Sequence, residues 1–139
     1  MVDFSELFKE EAEHKVSHSR RPLRHEEHSL QCMCVRYFHY EYPSYRGLLF
    51  AVPNGGARSK ATAGRLKAEG VVAGVSDLLF LVARGKYHGL CLETKTPKGR
   101  QSPEQKEWQK RVEAQGYLYK IYRNFDEFRK ILDEYLNQI

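Results

Sequence analysis

The sequence predicts an α/β fold, in which a small four-stranded mixed β-sheet is flanked by α-helices. Short apolar runs at residues 48–52 and 78–82 are typical of buried strands, and residues 117–122 alternate as a strand does. Stretches with the apolar spacing of helices lie between these strands. With 139 residues, the chain is long enough to form one domain with its own core.

The first predicted helix runs from about Leu23 to Tyr40. Its apolar residues recur every three or four positions, which places them on one helical face: Leu30, Met33, Cys34, Tyr37 and Phe38. Residues 1–20 are highly charged, and we expect a short helix or a mobile arm there. The predicted domain therefore covers residues 21–139.

Glycine and proline separate the elements in the middle of the chain. The sequence Pro53-Asn54-Gly55-Gly56 closes the first strand, and Gly70 follows a predicted helix at residues 58–69, where a C-cap glycine belongs. Strands at residues 78–82 and 87–95 are predicted to form a hairpin, because Arg84-Gly85-Lys86 can turn between them.

Two signals mark the start of the next helix. Pro103 suits the first helical position, and Ser102 with Gln105 forms the Ser-x-x-Gln capping box. We expect this helix to end near Gly116. A fourth strand at residues 117–122 and a final amphipathic helix at residues 125–136 complete the predicted fold.

Composition and charge exclude several classes of protein. Lys and Arg number 23 against 18 Asp and Glu, and the net charge of +5 makes a polyanion a reasonable partner. No apolar run is long enough to span a membrane, so no membrane partner is expected. Three cysteines without a suitable pairing favour a reducing compartment, and we expect a cytoplasmic protein.

The residues that carry chemistry are Asp77, Glu93 and Lys95. Glu93 and Lys95 are two positions apart on one strand, so their side chains share a face. If the hairpin turns symmetrically about Gly85, Asp77 lies directly opposite Glu93. Two facing carboxylates repel unless a cation lies between them, and oxygen ligands suit Mg²⁺ or Mn²⁺. Such a site can cleave a phosphodiester, because the metal activates water and the lysine stabilises developing charge.

The same residues also have an ordinary structural interpretation. Asp77 could be a turn residue after Gly74, and Glu93 with Lys95 could be a surface pair on an edge strand. The matching register and the apolar strands on both sides favour the metal site.

A third acidic ligand is expected from a neighbouring element, and Glu27 is the candidate. It shares a helical stripe with Gln31, although Glu26 would serve nearly as well and both could be solvated acids at a helix N-terminus. The backbone carbonyl of Thr94 is a further candidate ligand. Gln105 can reach the site, but the capping box alone would explain this residue.

Basic residues gather on both sides of the predicted site. Some follow a glycine turn, where the backbone can approach a phosphate closely, and others follow the third strand. Solvated surface charge would explain most of them individually. The predicted nucleic-acid contacts are Asn54, Gly55, Gly56, Arg58, Lys60, Lys98 and Arg100.

Six motifs along the chain occur in a specific order: Glu27-x-x-x-Gln31, Pro53-Asn54-Gly55-Gly56-x-Arg58, Gly70-Val71-x-x-Gly74-Val75-x-Asp77-Leu78, Glu93-x-Lys95, Ser102-x-x-Gln105 and Gly116-Tyr117. In this combination the chain resembles the VRR-NUC (virus-type replication-repair nuclease) domain of the PD-(D/E)XK nuclease superfamily, over roughly residues 24–136. One departure is Ser76, which stands where the superfamily usually has proline. We expect this serine to loosen the turn before Asp77.

The resemblance implies a PD-(D/E)XK nuclease-like core and a Mg²⁺- or Mn²⁺-dependent endonuclease. The residues it assigns are the metal ligands Glu27, Asp77 and Glu93, the assisting Thr94 carbonyl, the catalytic Lys95 and the supporting Gln105. Stand-alone members of similar length are associated with homodimers that cut branched DNA such as Holliday junctions, in a bacterial cell or a phage-infected host. The alternative is a nucleic-acid-binding module that keeps the nuclease fold without catalysis.

Overall fold

The computed structural model describes residues 23–53 and 59–138. The predicted arm at residues 1–20, and the predicted contacts Asn54, Gly55, Gly56 and Arg58, lie outside this part of the chain. The described elements follow the predicted order. They are α1 (Leu23–Glu41), a short 3₁₀ helix (Pro43–Tyr45), β1 (Leu49–Ala51), α2 (Lys60–Ala68), β2 (Leu78–Phe80), β3 (Leu90–Thr94), α3 (Pro103–Ala114), β4 (Leu118–Tyr122) and α4 (Phe125–Leu136).

The four described strands form one mixed sheet in the order β1-β2-β3-β4. The pairs β1–β2 and β2–β3 are antiparallel, whereas β3–β4 is parallel. In the hairpin, Leu78 pairs with Leu92 and Phe80 pairs with Leu90. These partners are equidistant from Gly85, whose φ of +55° is a conformation that favours glycine. The predicted mixed sheet and the predicted hairpin register are both confirmed.

The hairpin strands are shorter than the sequence predicts. β2 ends at Phe80 and β3 begins at Leu90, whereas the apolar runs suggested strands at residues 78–82 and 87–95. The difference arises because the intervening segment bonds elsewhere: the Tyr135 hydroxyl donates to the Val82 carbonyl at 2.5 Å, and Arg84 and Tyr87 exchange backbone hydrogen bonds. These groups are therefore not available to extend the ladder.

The hydrophobic core lies between one face of the sheet and helices α1 and α4. Cys34 and Phe38 of α1 are fully buried there against Phe80 and Leu132, which confirms the predicted apolar face of the first helix. Helix α3 packs on the opposite face, where Trp108 meets the Tyr119 ring edge-on at 6.2 Å. None of the described helices is long and apolar enough to cross a membrane.

Candidate active site

The carboxyl groups of Asp77 and Glu93 meet at one end of the hairpin. Asp77 directly precedes β2, and its Oδ2 accepts a hydrogen bond from the Thr94 backbone N–H at 2.9 Å. Its backbone carbonyl accepts from the Val52 N–H, also at 2.9 Å. Asp77 is therefore fixed from both neighbouring strands, and it lies close enough to Glu93 for its charge to raise the pKa of that carboxyl group.

Glu93 occupies an unfavourable place for a negative charge. It is 2% exposed, and burial together with the adjacent Asp77 raises its pKa to about 9, against a smaller opposing effect of the Lys95 ammonium group. At neutral pH the Glu93 carboxyl keeps its proton unless another cation lies beside it. The two carboxyl groups thus form a site that is complementary to added positive charge.

Lys95 and Gln105 complete the polar cluster around Glu93. The Lys95 Nζ lies 3.8 Å from Glu93 Oε1 and donates a hydrogen bond to Gln105 Oε1 at 2.9 Å. The Gln105 amide nitrogen in turn donates to Glu93 Oε1 at 3.0 Å. Gln105 also forms the predicted capping box with Ser102 at the start of α3. It therefore serves both the helix cap and the carboxylate, where the sequence left these as alternatives.

Tyr119 contacts the same carboxylate and was not predicted from the sequence. Its hydroxyl donates to Glu93 Oε2 over a long 3.4 Å and accepts from the Gln101 amide at 3.2 Å. The Gln101 amide also donates to Gln109 Oε1 at 2.8 Å, so its NH₂ group faces the tyrosine. Burial and the neighbouring Glu93 carboxyl group raise the pKa of Tyr119, which keeps its hydroxyl protonated and able to donate.

Helix α1 reaches the site through Gln31. The Thr94 hydroxyl donates to Gln31 Oε1 at 3.4 Å and shares a second hydrogen bond, of 2.5 Å, with the Tyr122 hydroxyl. Glu27 lies about one helical turn before Gln31, about 6 Å along the axis. Within residues 23–53 and 59–138, no three His, Cys, Asp or Glu side chains lie close enough to hold a metal together. Glu27 as a third ligand therefore stays a prediction.

The donor atoms at the site fit a hard divalent cation. Asp77 and Glu93 supply carboxylate oxygens, and Thr94 follows directly with a backbone carbonyl. Oxygen ligands of this kind suit Mg²⁺ and Mn²⁺ rather than the softer metals that cysteine and histidine prefer. Burial and the charge of Asp77 raise the pKa of Glu93, so its ionised form is unfavourable there without a cation beside it.

Comparison with known proteins agrees with these features. The sequence profile of the VRR-NUC domain matches residues 11–125. The chain belongs to the VRR-NUC family. This is a family of nuclease-type domains, and the resemblance read from the motifs is confirmed. A solved structure named "VRR_NUC domain protein" has the same fold, with a TM-score of 0.70 and 24% identity over 81% of this chain and 89% of that chain. A search of curated proteins found no match.

This VRR-NUC domain restrains the segment before Asp77 without a proline at position 76. Ser76 is fully buried, and its hydroxyl donates to the Leu78 carbonyl at 3.1 Å. Gly74 has a φ of +88°, and a Cβ there would lie 2.5 Å from the Glu104 carbonyl, so the backbone packs directly on the start of α3. A hydrogen bond and a close backbone contact therefore hold the turn that Ser76 was expected to loosen.

The described basic residues predicted to contact DNA are all exposed, but they lie in different places in the VRR-NUC domain. Lys98 and Arg100 flank Gly99, where an added Cβ would lie 3.4 Å from the Lys95 side chain, so their loop passes beside the site. Lys60 instead begins helix α2. The loop is tied down by Arg123, which donates to the Thr96 and Gly99 carbonyls.

Proposed function

We propose that the protein is a Mg²⁺- or Mn²⁺-dependent DNA endonuclease that cuts branched DNA such as Holliday junctions. The observation that carries the proposal is the position of the Asp77 carboxyl group on the Thr94 backbone N–H, next to Glu93, with the Lys95 ammonium group 3.8 Å from Glu93. Membership of a nuclease-type family supports the same reaction class. The reaction would be hydrolysis by direct attack of water, without a covalent intermediate.

The proposed ligands of the cation are Asp77, Glu93 and the Thr94 carbonyl, with Glu27 as a further carboxylate from α1. A bound divalent cation would polarise the scissile phosphate and lower the pKa of the attacking water. The side chains around Glu93 prepare the site for this charge. Gln105 and Tyr119 each donate a hydrogen bond to one oxygen of Glu93, which favours its ionised form.

Lys95 is the proposed catalytic lysine. Its side chain is 10% exposed and its ammonium group is held by Gln105 Oε1, which leaves further N–H bonds to meet the phosphate or orient the water. In this position it would stabilise the negative charge that develops on the phosphate in the transition state. Lys98 and Arg100, on the loop beside Lys95, would hold the neighbouring DNA backbone.

A homodimer is part of the proposal because a four-way junction has two-fold related strands. Two copies related by a two-fold axis would present two such sites, as two symmetric incisions require. The molecular mass of the protein, free and with a junction, can be measured by light scattering.

The proposed activity is tested by a cleavage assay. Labelled four-way junctions, flaps and linear duplexes are incubated with the protein in Mg²⁺, in Mn²⁺ and in EDTA. Asp77→Ala and Lys95→Ala are expected to abolish the metal-dependent cleavage. The matched controls Asp126→Ala and Lys130→Ala change exposed residues of α4 and are expected to cut at the wild-type rate.

Two results would contradict the proposal. Wild-type cleavage by Asp77→Ala would exclude this site as the catalytic centre. Tight DNA binding without cleavage of any substrate, in either metal, would favour the alternative of a non-catalytic binding module. A preference for linear duplex over junctions would overturn the substrate assignment and leave the chemistry intact.

A further inference from the structure

A groove of about 630 Å³ runs between helix α1 and the edge strand β1. We propose that it binds an unpaired strand of DNA that leaves the cleavage site. The inference rests on the proposed function, because it names a part of the DNA substrate and the surface that receives it. Three features carry it: the position of the groove, its charge and one exposed aromatic ring.

One end of the groove lies next to residues that flank the two carboxyl groups in the chain. Gln31 lines it and accepts the hydrogen bond from the Thr94 hydroxyl described above. Ala51 lines the other wall, and the next residue, Val52, donates its backbone N–H to the Asp77 carbonyl. The groove therefore starts at the same end of the sheet as the two carboxyl groups, on the α1 side, and a strand cut at the site would pass around that end to enter it.

The groove is long enough for several nucleotides. Its lining on α1 extends from Gln31 to Tyr40, which corresponds to about 14 Å at the rise of an α-helix. A stacked strand advances about 3.4 Å per nucleotide, so about four nucleotides match this length. Arg46 lies beyond the end of α1 and extends the lining further.

The charge of the groove suits a polyanion. Arg36 and Arg46 are exposed and line it, together with His39. None of the lining residues, all of them in the described part of the chain, is acidic. Arginine side chains bind phosphate groups through paired hydrogen bonds, so two positions along the groove can hold successive parts of a backbone.

Tyr40 favours a single strand over a duplex. Its side chain lines the groove and is 52% exposed. Aromatic rings bind unpaired bases by stacking, independently of sequence. Bases inside a duplex already stack on one another and do not offer a free face to this ring.

Fluorescence anisotropy in EDTA, where metal-dependent cleavage is prevented, tests the proposal. The probes are a labelled blunt duplex and the same duplex with one unpaired arm. Tyr40→Ala should weaken binding of the armed duplex by about fivefold or more, whereas Tyr40→Phe should retain it. Replacing both Arg36→Gln and Arg46→Gln should reduce the salt slope for the armed duplex by about 1.4, at about 0.7 per contacted phosphate.

Affinity for the blunt duplex should stay unchanged in all these variants. A matched control is the pair Arg129→Gln and Lys130→Gln, which removes two exposed charges from α4. Thermal melts establish that each variant is folded. Unchanged affinity for the armed duplex would overturn the proposal. Equal losses for both probes would overturn the assignment to a single strand.

Failure of this inference and failure of the proposed function are distinguishable. If the wild-type protein never cuts DNA but shows the expected losses in EDTA, the groove is a strand-binding site and the nuclease proposal fails. If the variants cut DNA and bind both probes as the wild type does, the nuclease proposal stands and the inference about the groove fails. A change in molecular mass without a change in DNA affinity would identify the groove as a contact between two copies and overturn the proposal.

Discussion

Gln105 accepts a hydrogen bond from the Lys95 ammonium group on the same oxygen that accepts the Ser102 backbone N–H, both at 2.9 Å. Because two donors face this oxygen, the amide nitrogen of Gln105 must point the other way, toward Glu93. The start of helix α3 and the polar cluster of the site are thus held by one side chain. This arrangement separates two roles that substitutions can test.

Gln105→Glu is expected to preserve the helix cap and damage the site. Glutamate keeps an oxygen for Ser102 and Lys95, but it replaces the donor to Glu93 with a second negative charge. Cleavage should fall about 10- to 100-fold, the range measured for residues that orient metal ligands, while the melting temperature changes little. Single-turnover cleavage at saturating Mg²⁺ measures the effect.

Ser102→Ala is the matched control for that experiment. It removes the capping hydroxyl, which costs about 0.5–2 kcal/mol of stability, but keeps the contacts of Gln105 with Lys95 and Glu93. We expect a lower melting temperature and near wild-type cleavage at 25 °C. If Gln105→Glu also cleaves at the wild-type rate, Gln105 is a helix cap and nothing more.

Tyr119→Phe is expected to weaken metal binding without changing the fold. The substitution removes one hydrogen bond to Glu93 and keeps the ring that packs against Trp108. Affinity for Mn²⁺, measured by calorimetry, should fall about tenfold or more. Tyr117→Phe serves as the control, since that ring packs on His88 instead. Equal affinities in the two variants would remove Tyr119 from the proposed site.

The stability of the metal-free protein is expected to fall as pH rises. The pKa of Glu93 is raised from 4.5 to about 9 by burial and by Asp77, so the folded state binds a proton that the unfolded state releases. The stabilisation is complete below the unfolded pKa and is lost as pH rises through the folded pKa. Melting temperatures in EDTA should therefore decrease from about pH 5 to pH 9.

Glu93→Gln tests the origin of that slope. The amide does not titrate, so the decrease in melting temperature over the same range should be smaller than in the wild type. Added Mg²⁺ should stabilise the wild-type protein most at high pH, where the cation no longer competes with the proton. Parallel slopes in the two proteins would assign the pH dependence to other groups.

Gly74→Ala is expected to destabilise the protein by about 2 kcal/mol or more, because it adds strain at positive φ to overpacking. The new Cβ would lie 2.5 Å from the carbonyl of Glu104. Gly64→Ala in α2 meets nothing within 4 Å and should instead stabilise the helix by about 0.5–1 kcal/mol. Urea denaturation measures the free energy of unfolding of both variants. The prediction holds only if Gly74→Ala lowers this free energy and Gly64→Ala raises it.

Local signals explain what could be predicted from the sequence. The hairpin register followed from Gly85, because a turn residue fixes which positions face each other, and this placed Asp77 opposite Glu93. The capping box located the start of α3 because it too is a local signal, formed by residues three positions apart in the sequence. The approach of Tyr119 to Glu93 could not be predicted, since it depends on a parallel pairing of β3 with β4 across an intervening helix. The distance of Glu27 from the site likewise depends on how helix α1 packs on the sheet.

The Arg123 guanidinium group donates two hydrogen bonds of 2.7 Å to backbone carbonyls of the loop after β3. This loop carries Lys98 and Arg100, so both cations start from a backbone that is already ordered in the free protein. The conformational entropy of that backbone is lost during folding, not during DNA binding. DNA that reaches this surface therefore meets preorganised charges, and little of its interaction free energy is spent on shaping the loop.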